Sequence, residues 1–204
     1  PLRGFTIKQT NKIQNSFKNN PNIFIEYAMR YGNPGIDKIL NKMTKNGCSK
    51  ILLVPLYPQY AASTTATVKD EVFKWLLKQR WQPDIRTVSP WFDNKNYIKA
   101  LALTIKKHLK DRDKIDKLVI SFHGIPKRYF MAGDPYHCHC IKTARLLKEE
   151  LKWPQNKVLV TFQSRFGPEP WLQPYTDETI IELAKQGSKN IALIAPGFIS
   201  DCLE

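Results

Sequence analysis

His123 follows the apolar run Leu118–Phe122 and precedes a glycine, which sets its imidazole at the mouth of an expected strand. An imidazole titrates near neutrality, so it can take a proton there or lend a lone pair to a metal. The plainer alternative is a histidine that caps the strand by hydrogen bonding. Asp201-Cys202-Leu203-Glu204 is a second candidate, with two carboxylates just beyond another expected strand, Asn190–Ala195. A structural role competes here too: Asp201 suits a helix N-cap and Glu204 the third helical position of a capping box. His137-Cys138-His139-Cys140 sets four metal-binding side chains in a row. Consecutive residues cannot wrap tetrahedrally around one zinc, so this run is expected to be mainly structural. Trp171, held between Pro170 and Pro174, and Trp91, after Pro90, are rigid aromatic walls or loop anchors.

Alternating strands and helices must position these groups. Asn22–Met29 reads as a strand ending in Arg30-Tyr31-Gly32-Asn33-Pro34. Ile36–Asn46 has helical spacing and stops at Gly47, a residue suited to a left-handed cap. Lys50–Tyr57 is nearly continuous in apolar residues, as a strand buried on both faces should be. Helices are expected over Val68–Gln79 and Tyr97–Lys110, with a short strand Asp84–Val88 between them. The cycle repeats with strand Lys117–Phe122, helix Ile141–Leu151 and strand Lys157–Phe162. It closes with helix Thr176–Gln186, with Thr176 as its N-cap, and strand Asn190–Ala195. Such alternation predicts an α/β fold with a mostly parallel sheet and covering helices.

A helix–Gly–strand–Pro pattern recurs, at Lys45-Asn46-Gly47 with Ile51–Pro55 and at Lys185-Gln186-Gly187 with Ile191–Pro196. Two similar units would account for it, residues 1–112 and 113–204, meeting in the charged stretch Lys110–Lys117. Ligands of open α/β sheets bind beyond the carboxyl ends of the strands. Those ends carry Arg30 and Tyr31, Tyr57-Pro58-Gln59-Tyr60 with Ser63-Thr64-Thr65, His123-Gly124, Gln163 through Gly167, and Gly197 through Glu204. So many aromatic and polar groups, with so few carboxylates, suit a large, flat, partly anionic ligand. No Gly-x-Gly-x-x-Gly follows a strand, and neither a P-loop nor His-Glu-x-x-His is present, which disfavours nucleotide and common zinc-protease chemistry.

The 204 residues carry 32 basic and 18 acidic groups, a net charge of +14. The lysines are scattered singly along amphipathic segments, so solvated helix faces explain them better than nucleic-acid binding does. Four cysteines do not make a disulfide scaffold in a chain of this size, which fits a reducing cytoplasm. The sequence opens Pro1-Leu2-Arg3-Gly4 and stops just after an apolar strand, and is expected to be an internal piece of a longer chain. As such a piece it is expected to fold less well than its parent, with a sheet edge uncovered.

Several segments, in order and over most of the chain, together resemble the ferrochelatases of bacterial type. They are Leu56–Tyr60 with Ser63-Thr64-Thr65, Ser121-Phe122-His123-Gly124-Ile125-Pro126, Gly133-Asp134-Pro135-Tyr136 and Thr161–Gly167. Pro170-Trp171-Leu172, Thr176-Asp177-Glu178 and Gly197–Glu204 complete the match. The resemblance implies two similar Rossmann-like domains with mostly parallel sheets and a ligand cleft between them. It implies insertion of ferrous iron into protoporphyrin IX in haem synthesis.

By the same resemblance, His123 and Glu204 are the catalytic and metal-binding pair, with Asp201 an accessory acid. Arg30, Tyr31, Tyr57, Ser63 and Trp91 hold the porphyrin. Cys202 stands where many members carry histidine. Ala62 occupies the position at which cluster-containing members carry cysteine, so no iron–sulfur cluster is expected, and no other permanently bound cofactor. The expected partners are protoporphyrin and ferrous iron, not nucleic acid, in the cytoplasm; peripheral membrane contact and oligomeric state stay open. Two other functions compete: a tetrapyrrole-binding module without turnover, and a chelatase for coproporphyrin or cobalt.

Overall fold

A computed structural model of the chain describes residues 2–110 and 115–200. The described residues form an α/β protein whose strands pair in parallel within two sheets. They fall into two compact units. One takes the described residues of Pro1–Tyr57, Ala62–Ser89 and Phe198–Glu204; the other is Pro58–Ala61 with Pro90–Gly197. The expected boundary between residues 112 and 113 lies outside the described residues.

The first unit comprises α1 (Leu2–Ser16), α2 (Ile36–Lys45), β1 (Lys50–Leu53), α3 (Thr67–Leu76) and β2 (Asp84–Thr87). A π-helical turn, Ala62–Ala66, leads into α3. The apolar stripe of α2 packs Leu40 against Ile51, Val72 and Trp75, with Ile36 and Met43 beside them. Asp37 in its first turn and Lys42 and Lys45 in its last complement the helix dipole. Gly47 follows at φ 81°, where a side chain would be strained. Trp75 donates its indole N–H to Asn41 Oδ1 at 3.0 Å, so this core loses no donor.

Three expectations for this unit are corrected. Residues 22–28 form no strand; Met29 makes only a single parallel bridge to Gly35, its N–H bound to Pro34 O at 2.8 Å. The segment has strand-like composition but finds no strand to pair with among the described residues, and pairing is what stabilises a strand. β1 is not buried on both faces, because Ile51 is inside while Leu52 is 61% exposed. Helix α1 has no counterpart in the expected elements. Its inward positions are Thr6 and Thr10, whose hydroxyls donate to the backbone carbonyls of Leu2 and Thr6, so no apolar stripe announces it.

The second unit comprises α4 (Lys95–Leu109), β3 (Lys117–His123), α5 (Lys127–Met131), α6 (Tyr136–Leu151), β4 (Val158–Gln163), α7 (Thr176–Lys185) and β5 (Ile191–Ile194). Strand order is β4-β3-β5, so β3 is central. Its Leu118, Ile120 and Phe122 pack with Ala102 and Ile105 of α4 and Cys140, Ala144 and Leu147 of α6. The alternate residues Val119, Ser121 and His123 belong to the opposite face. Helix α4 opens on Asn94, whose side chain accepts from the N–H groups of Asn96 and Tyr97.

Two further corrections concern helix starts. α6 begins five residues earlier than its periodicity suggests, at Tyr136, whose N–H is held by Asp134 Oδ1 at 3.0 Å. Thr176 is not the N-cap of α7. Tyr175 occupies that position, and the Thr176 hydroxyl turns into the sheet.

Leu147 is completely buried and Leu103 is 66% exposed. Leu147→Ala should cost about 2–5 kcal/mol in urea unfolding of the second unit. Leu103→Ala should change it by less than about 0.5 kcal/mol. Similar losses in both variants would contradict this placement of the core.

Candidate functional site

In the second unit the site grows from the end of β3. Gly124 N–H donates to Gln163 O at 2.7 Å, which carries the β3–β4 pairing one residue past the strand. Gly124 O in turn accepts a hydrogen bond from His123 Nδ1 at 2.6 Å. A carbonyl oxygen only accepts, so Nδ1 carries the proton of the neutral ring and the basic lone pair lies on Nε2. His123 is thus held as the tautomer that offers a base or a metal ligand at Nε2.

A side chain at Gly124 would be tightly pressed. A Cβ there would lie 3.1 Å from both Gln163 O and Trp171 Cε3. Trp171 packs over this turn with its ring centre 6.4 Å from that of His123, and an antiparallel bridge pairs it with Pro126. Leu172 N–H donates to Ile125 O at 3.0 Å, fixing the tryptophan segment from the other side. The sequence left Trp171 as either wall or anchor; the structure anchors it beside His123.

Behind His123 lies a buried polar group that sequence reading missed. Ser121 donates to Gln163 Oε1 at 2.6 Å, and its Oγ is 2.8 Å from Thr176 Oγ1. Thr176 and Thr161 hydroxyls are also 2.8 Å apart. Ser121, Thr161 and Thr176 are all buried. The sequence signals were a serine inside an otherwise apolar strand and membership of these residues in the segments that carry the resemblance, but nothing in the sequence placed them together.

The other expected residues sit as follows. In the first unit Arg30 lies over the Tyr31 ring, 4.5 Å from guanidinium carbon to ring centre, with Nη2 3.6 Å from Glu71 Oε1. Arg30 Nε is buried without a hydrogen-bond partner, and Tyr31 is 72% exposed. Burial raises the Tyr57 phenol above its ordinary range, assisted by Tyr31 and opposed by Arg30, so these three form one electrostatic group. Ser63 is exposed on the π-helical turn. In the second unit Trp91 packs edge-on against Tyr97, ring centres 5.1 Å apart. Asp201 and Glu204 lie outside the described residues.

The His137–Cys140 run forms the first turns of α6. His139 stacks on Phe92 at 3.7 Å between ring centres, and its Nδ1 accepts the Tyr60 N–H at 3.2 Å. His137 packs between Phe130 and Phe162. Cys140 is buried, which pushes its thiol well above the ordinary range. These are packing contacts, as the spacing led us to expect. Arg165 spends its charge locally, on Asp177 at 3.1 Å and Glu178 at 2.8 Å, with Tyr175 beneath it.

Parallel strands covered by helices make each of the two units α/β. A solved structure of SirB from Bacillus subtilis with Fe3+ shares this fold at a TM-score of 0.65, over 97% of this chain and 73% of that one, at 18% identity. Ferrochelatase is the family to which this chain belongs, for that family's model matches residues 1–204 throughout. The chain is 60% identical to the ferrochelatase of Allorhizobium ampelinum and 57% identical to that of Rhizobium meliloti, in each case over its whole length. It spans 59% and 60% of the lengths of those two relatives.

Burial lowers the imidazole pKa of both His137 and His139, for His139 against the opposing pull of Asp93 and Asp134. The folded-state values lie below the unfolded one, so on acidification the unfolded chain takes up protons first. The stability that these rings contribute is complete above about pH 6.5, the unfolded value, and is lost as pH falls through the folded values. Thermal midpoints should therefore drop between pH 7.5 and 5, and the double variant His137→Gln/His139→Gln should flatten the drop. An equal drop in that variant would contradict the assignment.

Proposed function

We propose that the protein is a lyase of haem synthesis that inserts ferrous iron into protoporphyrin IX, with His123 as the group that receives pyrrole protons or first meets the metal. The reading is supported by family membership together with one observation, the 2.6 Å bond from His123 Nδ1 to Gly124 O that leaves the lone pair on Nε2.

Free-base porphyrin presents two N–H groups and two bare nitrogens in one plane. Insertion forms four Fe–N bonds and releases two protons, so the site must bend the ring and accept protons. Burial of the ring's large apolar faces can supply the strain. His123 Nε2 is the base for this. The Glu204 carboxylate, with Asp201 three residues before it in sequence, attracts the dication or carries protons away, a role taken from the family resemblance. Arg30, Tyr31, Tyr57, Ser63 and Trp91 are assigned to the porphyrin, the aromatic groups to its face and the guanidinium and hydroxyls to its propionates.

Protoporphyrin and ferrous iron are substrates in this reading, with no permanently bound cofactor and no iron–sulfur cluster. Among the described residues no helix is long and apolar enough to cross a membrane. We assign the protein to the cytoplasm on its free cysteines Cys48, Cys138 and Cys140.

Anaerobic insertion assays across porphyrins and metals test the reading. Ferrous iron should enter protoporphyrin, and His123→Ala should slow that step by about 10²–10⁴-fold with porphyrin affinity little changed. Glu204→Gln should also slow it. If the two residues share one path, the double variant should lose much less than the product of the single losses. Near-normal rates in both single variants would refute the assignment and favour a tetrapyrrole-binding module. Exclusive turnover of coproporphyrin or cobalt would move the protein to another chelatase activity.

A further inference from the structure

We propose that Ser121 is a positioning residue for His123, acting through Gln163. The observation is a serine hydroxyl with no solvent exposure in the middle of the central strand, where Leu118, Val119, Ile120 and Phe122 surround it in sequence. A buried hydroxyl costs free energy unless its hydrogen bonds are made. Here they are made, and their direction is informative. Ser121 gives its proton to Gln163 Oε1 at 2.6 Å and has the Thr176 hydroxyl 2.8 Å away, with Thr161 continuing the group. Packing alone would be served by alanine or valine, with three fewer hydroxyls to satisfy.

Gln163 is the residue in register with His123 on the neighbouring parallel strand, so the two share a face of the sheet. Ser121, two residues before His123, is on that face as well. Gln163 therefore meets the histidine turn twice. Its main-chain oxygen receives Gly124 N–H at 2.7 Å, and its side-chain oxygen is held by Ser121. Gly124 O then receives His123 Nδ1 at 2.6 Å.

Ser121 thus holds the Gln163 side chain while the Gln163 main chain carries the histidine turn. With Oε1 committed to Ser121, the carboxamide is fixed in one orientation, its NH2 end turned away from the serine. Without the Ser121 hydroxyl the amide is released on the sheet face that it shares with His123. An amide oxygen or NH2 that bonds the ring from that face competes with Gly124 O for its proton, and the preference for a basic Nε2 is weakened. Outer groups that orient a ligating histidine typically change activity by about 10–100-fold when removed.

This role presupposes the reading of His123 given above, and the two can fail separately. Nitrogen NMR of the His123 ring, on the protein labelled with 15N-histidine, reads the tautomer without any turnover. The unaltered protein should show one protonated Nδ1 and one unprotonated Nε2. Ser121→Ala, and independently Gln163→Leu, should average these two signals or reverse them. Insertion assays on the same variants should show kcat lower by about 10–100-fold with the porphyrin KM changed by less than about two-fold. Ser121→Thr, which keeps the hydroxyl, should restore both. In a His123→Ala background, Ser121→Ala should cost less than about two-fold more, because its effect is spent on the missing ring.

Unchanged ring signals in folded Ser121→Ala and Gln163→Leu proteins would overturn the positioning role. So would a full Ser121→Ala penalty in the absence of His123. If His123→Ala leaves insertion intact, the functional reading falls, while the ring signals still decide whether Ser121 orients the histidine.

Discussion

The 2.7 Å hydrogen bond from Gly124 N–H to Gln163 O ties the end of β3 to the end of β4, and the geometry around His123 follows from it. Parallel strands offer their carboxyl ends as a common edge, where backbone groups run out of partners and side chains take over. Carrying the pairing one residue further fixes the His123–Gly124 peptide. The carbonyl of the next peptide, Gly124 O, faces the imidazole of the preceding residue and selects the ring's protonated nitrogen. Glycine suits this position because a Cβ would press on a carbonyl on one side and the Trp171 ring on the other, each at 3.1 Å. The tryptophan segment and the histidine turn are thus closely packed together.

The two faces of this sheet have different characters. Leu118, Ile120 and Phe122 fill a conventional apolar core with α4 and α6. The other face carries the hydroxyls of Ser121 and Thr161, buried and bonded to that of Thr176 from α7, on the face of His123. Apolar packing sets where the strands are, within the tolerance of side chains that slide. Directional bonds set the angle of one ring, a finer requirement than hydrophobic burial can meet. In the first unit, Arg30, Tyr31 and Tyr57 form a separate group, in which a cation lies over one phenol and opposes the raised pKa of another.

Much of this was legible in the sequence because it depends on local pattern. All five strands overlap the segments expected to be strands, β3 and β4 running one residue further, and α2, α3, α4 and α7 follow from 3.6-residue spacing. His123 stood out because a strand, a histidine and a glycine in succession specify a mouth position whatever the rest of the fold does. What could not be read depends on distant partners. Residues 22–28 looked like a strand but find none to pair with among the described residues, whereas α1 hides its buried face behind threonines. The early start of α6 depends on a single side chain, Asp134. Ser121 gains its meaning from residues 42 and 55 positions further along the chain, which only the register of β3 on β4 brings beside it.

The central claim is that His123 offers Nε2 to the centre of a bound porphyrin while Nδ1 stays on Gly124. The crystal structure of the protein with a free-base porphyrin tests this most directly. The account predicts His123 Nε2 facing the pyrrole nitrogens, with the Nδ1–Gly124 and Gly124–Gln163 bonds retained. A porphyrin bound with its ring centre remote from His123, or with Nε2 turned away and Nδ1 towards the ring, would contradict it.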